Sequence, residues 1–169
     1  MDYFKNNLVN QLPDVSELTF KRIHKDYLKV LVLTTLVVFF VLFLSVFLLE
    51  TYVEKISNLE YVNYFYLLLS IVFLILIAVF VIGFSRRKYV LREKDISYKE
   101  GLLVKKMTTV PFSRIQHVEI DEKPVSRMFG LSSLSVYTAG DSSDDLEVKG
   151  IKKETALQIK EFISSKINE

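Results

Sequence analysis

The sequence predicts an α+β membrane protein, in which a two-helix transmembrane hairpin precedes an antiparallel β domain that a C-terminal helix closes. Three observations predict this class. Residues 30–49 and 64–84 are apolar and contain no charged side chain. Polar and apolar residues alternate from residue 88 onward, and the chain ends in an amphipathic helical pattern. Each of these patterns is typical of a different kind of element.

Each apolar stretch is long enough to cross a bilayer, since about 20 residues at about 1.5 Å rise cover the ~30 Å hydrocarbon core. A buried helix of a soluble protein is one alternative, but such helices are rarely apolar on all sides over this length. A cleaved signal peptide is another. The first stretch is too long for one, and Glu50, Thr51 and Tyr52 follow it rather than small residues. We therefore expect two spans, at 28–49 and 64–85.

Lysine and arginine residues lie mainly on one side of the two predicted spans. The loop between the spans contains only Lys55. Because positive residues close to a span tend to stay in the cytoplasm, we expect both termini on the cytoplasmic side of the cell membrane. The flanking basic residues are Lys21, Arg22, Lys25, Lys29, Arg86, Arg87, Lys88, Arg92 and Lys94. The predicted segments are a cytoplasmic or interfacial segment at 1–27, spans at 28–49 and 64–85, an outside loop at 50–63 and a cytoplasmic domain at 86–169.

The N-terminal segment carries a helix-start signal. Asp14 follows Pro13, and Glu17 lies three residues later, which is the spacing of a capping box. We expect a lead-in helix from this point toward Tyr27. His24 lies in the same basic stretch, and since the chain has no cysteine, we expect a solvated residue rather than a metal ligand.

Alternating side chains after residue 88 predict half-buried strands. The predicted strands are 89–91, 96–98, 102–110, 115–120, 134–139 and 146–148. The alternation slips by one residue within 115–120, and both a bulge and a strand buried on two faces are compatible with that slip. The acidic run at 140–145 is expected to be a turn rather than a calcium site, because it lacks the glycine and terminal glutamate of an EF-hand.

A helix is predicted over residues 152–167. Its apolar side chains fall on one arc, which must pack against the strands because no other partner is near in sequence. The residues of this arc are Ala156, Ile159, Phe162, Ile163 and Ile167.

Three ordered motifs resemble those of a known family: VPFSRIQHV at 110–118, RMFGL at 127–131 and VYTAG at 136–140. Together with the two preceding spans, they are similar to the bacterial PH-like domain family typified by YdbS-like membrane proteins (DUF304 type), over roughly residues 28 to 165. The resemblance implies a pleckstrin-homology-like β-barrel or sandwich, with two packed antiparallel sheets capped by the C-terminal helix. It implies no catalytic residues.

The residues themselves also offer no catalytic or cofactor motif. The chain has no cysteine, and it lacks a GxSxG elbow, a P-loop and a GxGxxG fingerprint. His117 is expected to be a packed or surface strand histidine. We therefore expect no enzyme activity, no cofactor and no metal. Residues 30–49 and 64–84 contain no charged side chain, which argues against transport by the hairpin alone. Nucleic acid is not an expected partner, since membrane topology explains the basic residues.

Four residues in the motifs are candidates for an interaction surface or for structural roles: Arg114, Gln116, Arg127 and Gly130. In the structural interpretation, which we favour, Gln116 and Arg127 satisfy backbone groups and Gly130 permits a turn. In the functional interpretation, the four form part of a surface for a peptide or a second PH-like protein.

A basic cluster follows the second span: Arg86, Arg87 and Lys88. Its positive charges explain the predicted orientation of the spans, and it is also a candidate contact for anionic lipid headgroups. The other basic residues of the domain are dispersed in the sequence. The predicted function is a non-enzymatic scaffold at the cytoplasmic face that assembles with other PH-like membrane proteins or with itself. The alternative is a lipid- or small-ligand-binding accessory subunit of an envelope-maintenance or transport system.

Overall fold

A computed structural model describes residues 19–52, 61–102, 104–139 and 146–167. The strands are β1 (Lys21–Arg22), β2 (Lys88–Leu91), β3 (Asp95–Glu100), β4 (Lys106–Pro111), β5 (Ile115–Asp121), β6 (Leu131–Thr138) and β7 (Leu146–Lys152). The helices are α1 (Tyr27–Tyr52), α2 (Val62–Phe84), α3 (Pro124–Met128) and α4 (Lys153–Ile167), with a 3-10 turn at Phe112–Arg114.

The helices α1 and α2 are both long and apolar enough to cross a membrane. They start slightly before the predicted spans and differ from them by at most three residues at each end. Aromatic contacts join them: the rings of Phe39 and Phe73 meet edge to face with centroids 5.0 Å apart, and Phe43 stacks on Tyr66. No described residue of α2 is buried, which differs from the core helix of a soluble protein.

The described strands form two antiparallel sheets, ordered β1-β2-β3-β4 and β5-β6-β7. The register of β5 against β6 shifts between Ile115 and His117. This shift confirms a bulge as the cause of the slip in the sequence pattern. The bulge re-aims the side chains, so that Ile115 and Val118 are both buried while the two residues between them are exposed.

A single core fills the space between the sheets and α4. Leu134, Val136 and Val148 are fully buried on the second sheet, and Ile96 is fully buried on the first. The helix α4 contributes the predicted arc: Ala156, Ile159 and Ile163 are buried, Phe162 packs edge to face on Phe112, and Ile167 at the end of the arc is exposed. The two apolar helices, the antiparallel sheets and the capping helix give the α+β architecture that the sequence predicts.

The prediction of a lead-in helix is wrong for the described part of the N-terminal segment. Its residues Lys21 and Arg22 form β1, which pairs with β2 and extends the first sheet. The backbone amide of His24 then donates to the Gly150 carbonyl at 2.8 Å. The edge of β2 supplies backbone partners that a local helix-start signal cannot reveal. Asp14 and Glu17, on which that prediction depended, lie outside the described residues.

The first turn of α1 is packed on the β domain. Ile23, Tyr27 and Val30 all belong to the domain core. The Tyr27 ring lies against Gly150, whose φ of +72° and lack of a side chain permit that contact. The hairpin therefore joins the domain through packed side chains as well as through the chain connection after α2.

Candidate functional site

A basic cleft of about 510 Å³ opens beside the last residues of α2. Its walls come from β1, from the segment that follows α2, from the facing ends of β2 and β3, and from the turn between β3 and β4. Six cationic side chains line it and a single carboxylate, Glu100, accompanies them. The cationic residues are Arg22, Arg86, Lys88, Lys99, Lys105 and Lys106.

Three of these cations form a row across the first sheet. Arg22 lies directly opposite Lys88, and Lys88 lies directly opposite Lys99. Directly paired strand residues share a face of the sheet, and like charges in such pairs are destabilising. Lys99 also lies 3.9 Å above the Phe20 ring, a contact that positions its ammonium without neutralising it. The row is therefore suited to an anion that approaches all three charges together.

No carboxylate within the described residues neutralises the cleft. None of its six cations forms an ion pair within 4.0 Å there, although five ion pairs of lysine or arginine are formed elsewhere in the described structure. Glu100 is paired in register with Lys106 on β4, yet the two side chains make no ion pair. An unneutralised group of positive charges creates a local potential that attracts anions.

The cleft lies level with the end of α2. Lys88 is the fourth residue after Phe84, a distance of at most about 14 Å along the chain. A second connection comes from the turn between β3 and β4, where Leu102 lies so close to α2 that a β-carbon on Gly83 would be 3.9 Å from the Leu102 β-carbon. Val104, in the same turn, is 80% exposed. The cleft thus adjoins the end of the apolar hairpin.

Gly101 sets the shape of this turn. Its φ is +99°, and a β-carbon there would collide with the Val104 carbonyl oxygen. The close approach reverses the chain after β3 and brings Lys105 and Lys106 back beside Lys99.

Residues 30–167 match the model of a family described as Bacterial PH domain. The chain belongs to this family. It is also similar to a protein of the DUF1696 family with a pleckstrin-homology domain from Shewanella loihica PV-4, with 19% identity, 50% of this chain and 73% of that chain covered, and a TM-score of 0.39. A similarity of this size carries no information about function. No curated protein matches the chain.

The structure divides the predicted basic cluster of this bacterial PH domain. Arg86 and Lys88 line the cleft, whereas Arg87 turns toward the domain, with its guanidinium carbon 5.6 Å from the centre of the Tyr27 ring. The Arg87 Nη1 atom is buried without a hydrogen-bond partner, as is the Tyr98 hydroxyl. Burial raises the pKa of Tyr98, so this phenol stays neutral.

The four motif candidates do not come together. Arg114 and Gln116 lie at the start of β5. Arg127 and Gly130 lie beyond the other end of β5, in and just after α3. Six steps along β5 span about 20 Å. All four residues are exposed, and the side chains of Arg114, Gln116 and Arg127 make no hydrogen bond in the described structure. Gln116 and Arg127 were expected to satisfy backbone groups, but in the described structure their side chains make no hydrogen bond to the backbone.

Gly130 has a clear structural role. Its φ is +64°, a conformation that favours glycine, and nothing lies within 4 Å of where a β-carbon would be. Its carbonyl oxygen accepts a hydrogen bond from the Lys153 amide at 3.2 Å, at the start of α4. The backbone conformation rather than close packing explains a glycine here.

The two histidines are surface residues in the described structure. His117 is about half exposed, stacks on Tyr137 with ring centroids 4.4 Å apart and has Nε2 3.7 Å from a Glu119 oxygen. The Nδ1 atom of His24 accepts a hydrogen bond from the backbone amide of Asp26 at 3.3 Å. Neither belongs to a cluster of metal-ligating side chains among the residues that the structure describes.

Most of the cleft is not evident from the sequence. Arg22 belongs to the predicted N-terminal segment, and Lys99, Lys105 and Lys106 are dispersed charges along the chain. The signal that was available is the position of these three lysines, which flank the Gly101 turn. A hairpin of β3 and β4 brings such lysines to one end of a sheet, but their alignment with Lys88 depends on strand pairing.

Proposed function

We propose that this bacterial PH domain protein is a non-enzymatic membrane module whose basic cleft binds phosphate groups of anionic lipids in the cytoplasmic leaflet. The hairpin crosses the membrane in this proposal, with both termini in the cytoplasm. The observation that carries it is the row of Arg22, Lys88 and Lys99, which has no carboxylate partner in the described structure and lies beside the end of α2.

Physical magnitudes support this function. Each lysine or arginine near an anionic membrane surface contributes about 1 kcal/mol of attraction, and the attraction decays within a Debye length of about 8 to 10 Å. Arg86 lies two residues after the end of α2, at most about 7 Å along the chain, so the hairpin holds the near side of the cleft within this range without any further binding step. The exposed apolar Val104 beside Lys105 is a favourable combination at the boundary between headgroups and acyl chains.

The test compares two double variants of the full chain that remove equal charge. Lys88→Gln with Lys99→Gln alters the cleft, whereas Lys94→Gln with Lys160→Gln alters the far end of β2 and β3 and the helix α4. Nanodiscs contain equal amounts of phosphatidylglycerol and phosphatidylcholine, and the lipids retained by the purified protein are measured by native mass spectrometry. We expect retention of phosphatidylglycerol to fall by up to about thirtyfold in the cleft variant, from about 1 kcal/mol per charge.

The control pair should retain phosphatidylglycerol like the unaltered protein. Equal retention in all three proteins, or no preference for phosphatidylglycerol in the unaltered chain, would overturn the proposal. Reporter fusions at Asn58, which lies outside the described residues, and at the C-terminus test the orientation separately. A cytoplasmic signal from the Asn58 fusion contradicts it.

A second candidate function is the binding of another PH-like membrane protein or a second copy of this chain at the edge of β5. The observation that favours it is that β5 pairs only with β6 among the described strands and carries the exposed Gln116, with Arg114 just before it. An exposed strand edge accepts an extended partner segment. Scaffold assembly at this edge is compatible with lipid binding at the cleft, because the two surfaces share no residue.

Arg114→Glu and Arg127→Glu are matched tests of this edge, since their sites lie at opposite ends of β5. If a partner binds there, chemical crosslinking in native membranes loses the partner band in Arg114→Glu and keeps it in Arg127→Glu. The same bands in both variants would remove this candidate.

A further inference from the structure

A second cavity, of about 500 Å³, lies where the hairpin meets the β domain, on surfaces that the basic cleft does not share. The helices α1 and α2 form one side of it, and α3 with the start of β6 forms the other. Val38 and Phe39 of α1 and Leu76 and Phe80 of α2 supply apolar walls. The cavity is within the size range of small-molecule sites in proteins.

The cavity extends along the half of the hairpin nearest the domain. Val38 lies eleven residues beyond Tyr27, which is about 16 Å along a helix. Leu76 lies eight residues before the end of α2, about 12 Å from it. With the hairpin across a bilayer of ~30 Å core thickness, these walls cover the depth of one leaflet's acyl chains.

The walls remain apolar because the buried hydroxyl among them is already satisfied. Thr35 donates its hydroxyl hydrogen to the Leu31 carbonyl at 2.8 Å, within its own helix. Thr34 also lines this side, and its hydroxyl makes no hydrogen bond in the described structure. A polar ligand group at this depth would therefore find few partners, whereas a hydrocarbon chain needs none.

The end of the cavity at α3 carries polar groups beside the apolar Pro124 and Val125. The side chains of Ser126 and Ser133 line it, and neither makes a hydrogen bond in the described structure. Lys123 lies at this end with its side chain 68% exposed. Its nearest acid, Glu147, lies 3.9 Å from it but only 2.8 Å from Lys149, so Lys149 holds that carboxylate more closely.

We infer that this cavity holds one acyl chain of a phospholipid from the cytoplasmic leaflet, with the phosphate at Lys123 and the glycerol ester region at the two serines. The change from apolar walls to free hydroxyls and a lysine follows the same order as the parts of a phospholipid. The inference rests on the membrane placement proposed above, but not on lipid binding by the basic cleft.

The test uses the full chain reconstituted in phosphatidylcholine alone, a zwitterionic lipid for which the basic cleft offers no charge preference. Lipid retained after exchange into detergent is counted by native mass spectrometry. Val38→Trp fills the cavity, and Val37→Trp is its matched control, since Val37 is 52% and Val38 50% exposed but only Val38 lines the cavity. We expect about one retained lipid per chain, lost at least about fivefold in Val38→Trp and kept in Val37→Trp.

A second pair guards against misfolding of one variant. Leu76→Trp should lose the lipid, whereas Leu74→Trp, on the exposed side of α2, should keep it. The cleft variant with Lys88→Gln and Lys99→Gln should also keep it, which separates this inference from the proposed function. Absence of retained lipid in the unaltered chain, equal retention in both tryptophan pairs, or a lipid-free dimer that Val38→Trp dissociates would each overturn the inference. The last result would identify a second copy as the occupant.

Discussion

The hairpin and the β domain bury apolar side chains in opposite ways. On α2 the described residues are all at least partly exposed, and Phe40 of α1 is 68% exposed. On β6, by contrast, Leu134 and Val136 have no exposed surface. The hairpin has little internal core, and its two helices are long and apolar enough to cross a membrane, whereas the domain makes its own core. Exposed large apolar residues are therefore normal on the hairpin, whereas on β6 the corresponding residues are buried in the core.

Removal of the same side chain should therefore have different effects in the two regions. Leu134→Ala leaves a cavity in the domain core and should lower the free energy of unfolding by about 4 kcal/mol. Leu68→Ala, on the exposed surface of α2, should leave the unfolding of the domain unchanged. Thermal melting of the full chain in micelles, followed by circular dichroism, measures both. Equal losses of stability would mean that the hairpin and the domain unfold as one unit.

The junction between the regions can be tested at Gly150, with Gly130 as a comparison, because the two glycines have similar φ angles. Gly150→Ala should lower the free energy of unfolding by about 3 kcal/mol, because it adds a collision with Tyr27 to the cost of a positive φ. Gly130→Ala should cost only the conformational part, about 1 kcal/mol, since nothing lies near its β-carbon. The same melting experiment compares them. If Gly130→Ala is the more damaging change, the Tyr27 contact does not hold the junction together.

Ile23 tests whether the segment before the hairpin belongs to the domain. It is 4% exposed and packs in the domain core, so Ile23→Ala should lower the free energy of unfolding by about 2 kcal/mol or more. Limited proteolysis of the variant should then expose sites in the first sheet, where β1 pairs with β2. An unchanged digestion pattern and melting temperature would restore the boundary predicted at residue 27.

Substitution of Asp26, at the same junction, should have the smallest effect on the stability of the protein. Its hydrogen bond with Lys29, 2.7 Å between Oδ1 and Nζ, lowers the pKa of this carboxyl. Because the folded-state pKa is lowered, the ionised Asp26 carboxyl stabilises the folded protein above the unfolded-state pKa near 4. This stabilisation is lost as the pH falls through the folded-state value. Asp26→Asn should slightly lower the melting temperature at pH 7 and leave no difference at pH 2. A larger difference at pH 2 than at pH 7 would contradict this sign.

Particular residues show where prediction from sequence succeeded. The bulge between Ile115 and His117 appeared as a slip in the alternation, and the buried face of α4 appeared as an arc of apolar residues. Both are local periodicities, which a side chain's immediate neighbours impose. Predictions that depended on distant partners were less successful, because Lys21 and Arg22 carry no local signal that β2 lies beside them.

The candidate site shows the same limit. Arg86 and Lys88 are evident in the sequence because they follow a span, whereas Lys99 is not, since its partner Lys88 is eleven positions away. Conversely, Arg114 and Arg127 belong to two motifs of the same family resemblance, yet the structure places them at opposite ends of a strand. Membership in one set of motifs does not imply proximity in the fold, where strand register decides which side chains meet.

The two apolar helices, the half-buried strands of the domain and the closing helix can be predicted from local patterns in the chain. Length, hydropathy and side-chain period act locally, and each element can satisfy them alone. Three other features depend on the folded arrangement. The segment before the hairpin joins the first sheet, six cations converge without a carboxylate partner in the described residues, and a cavity opens between hairpin and domain. These features arise from strand pairing and from packing between elements far apart in the chain, which no local pattern records.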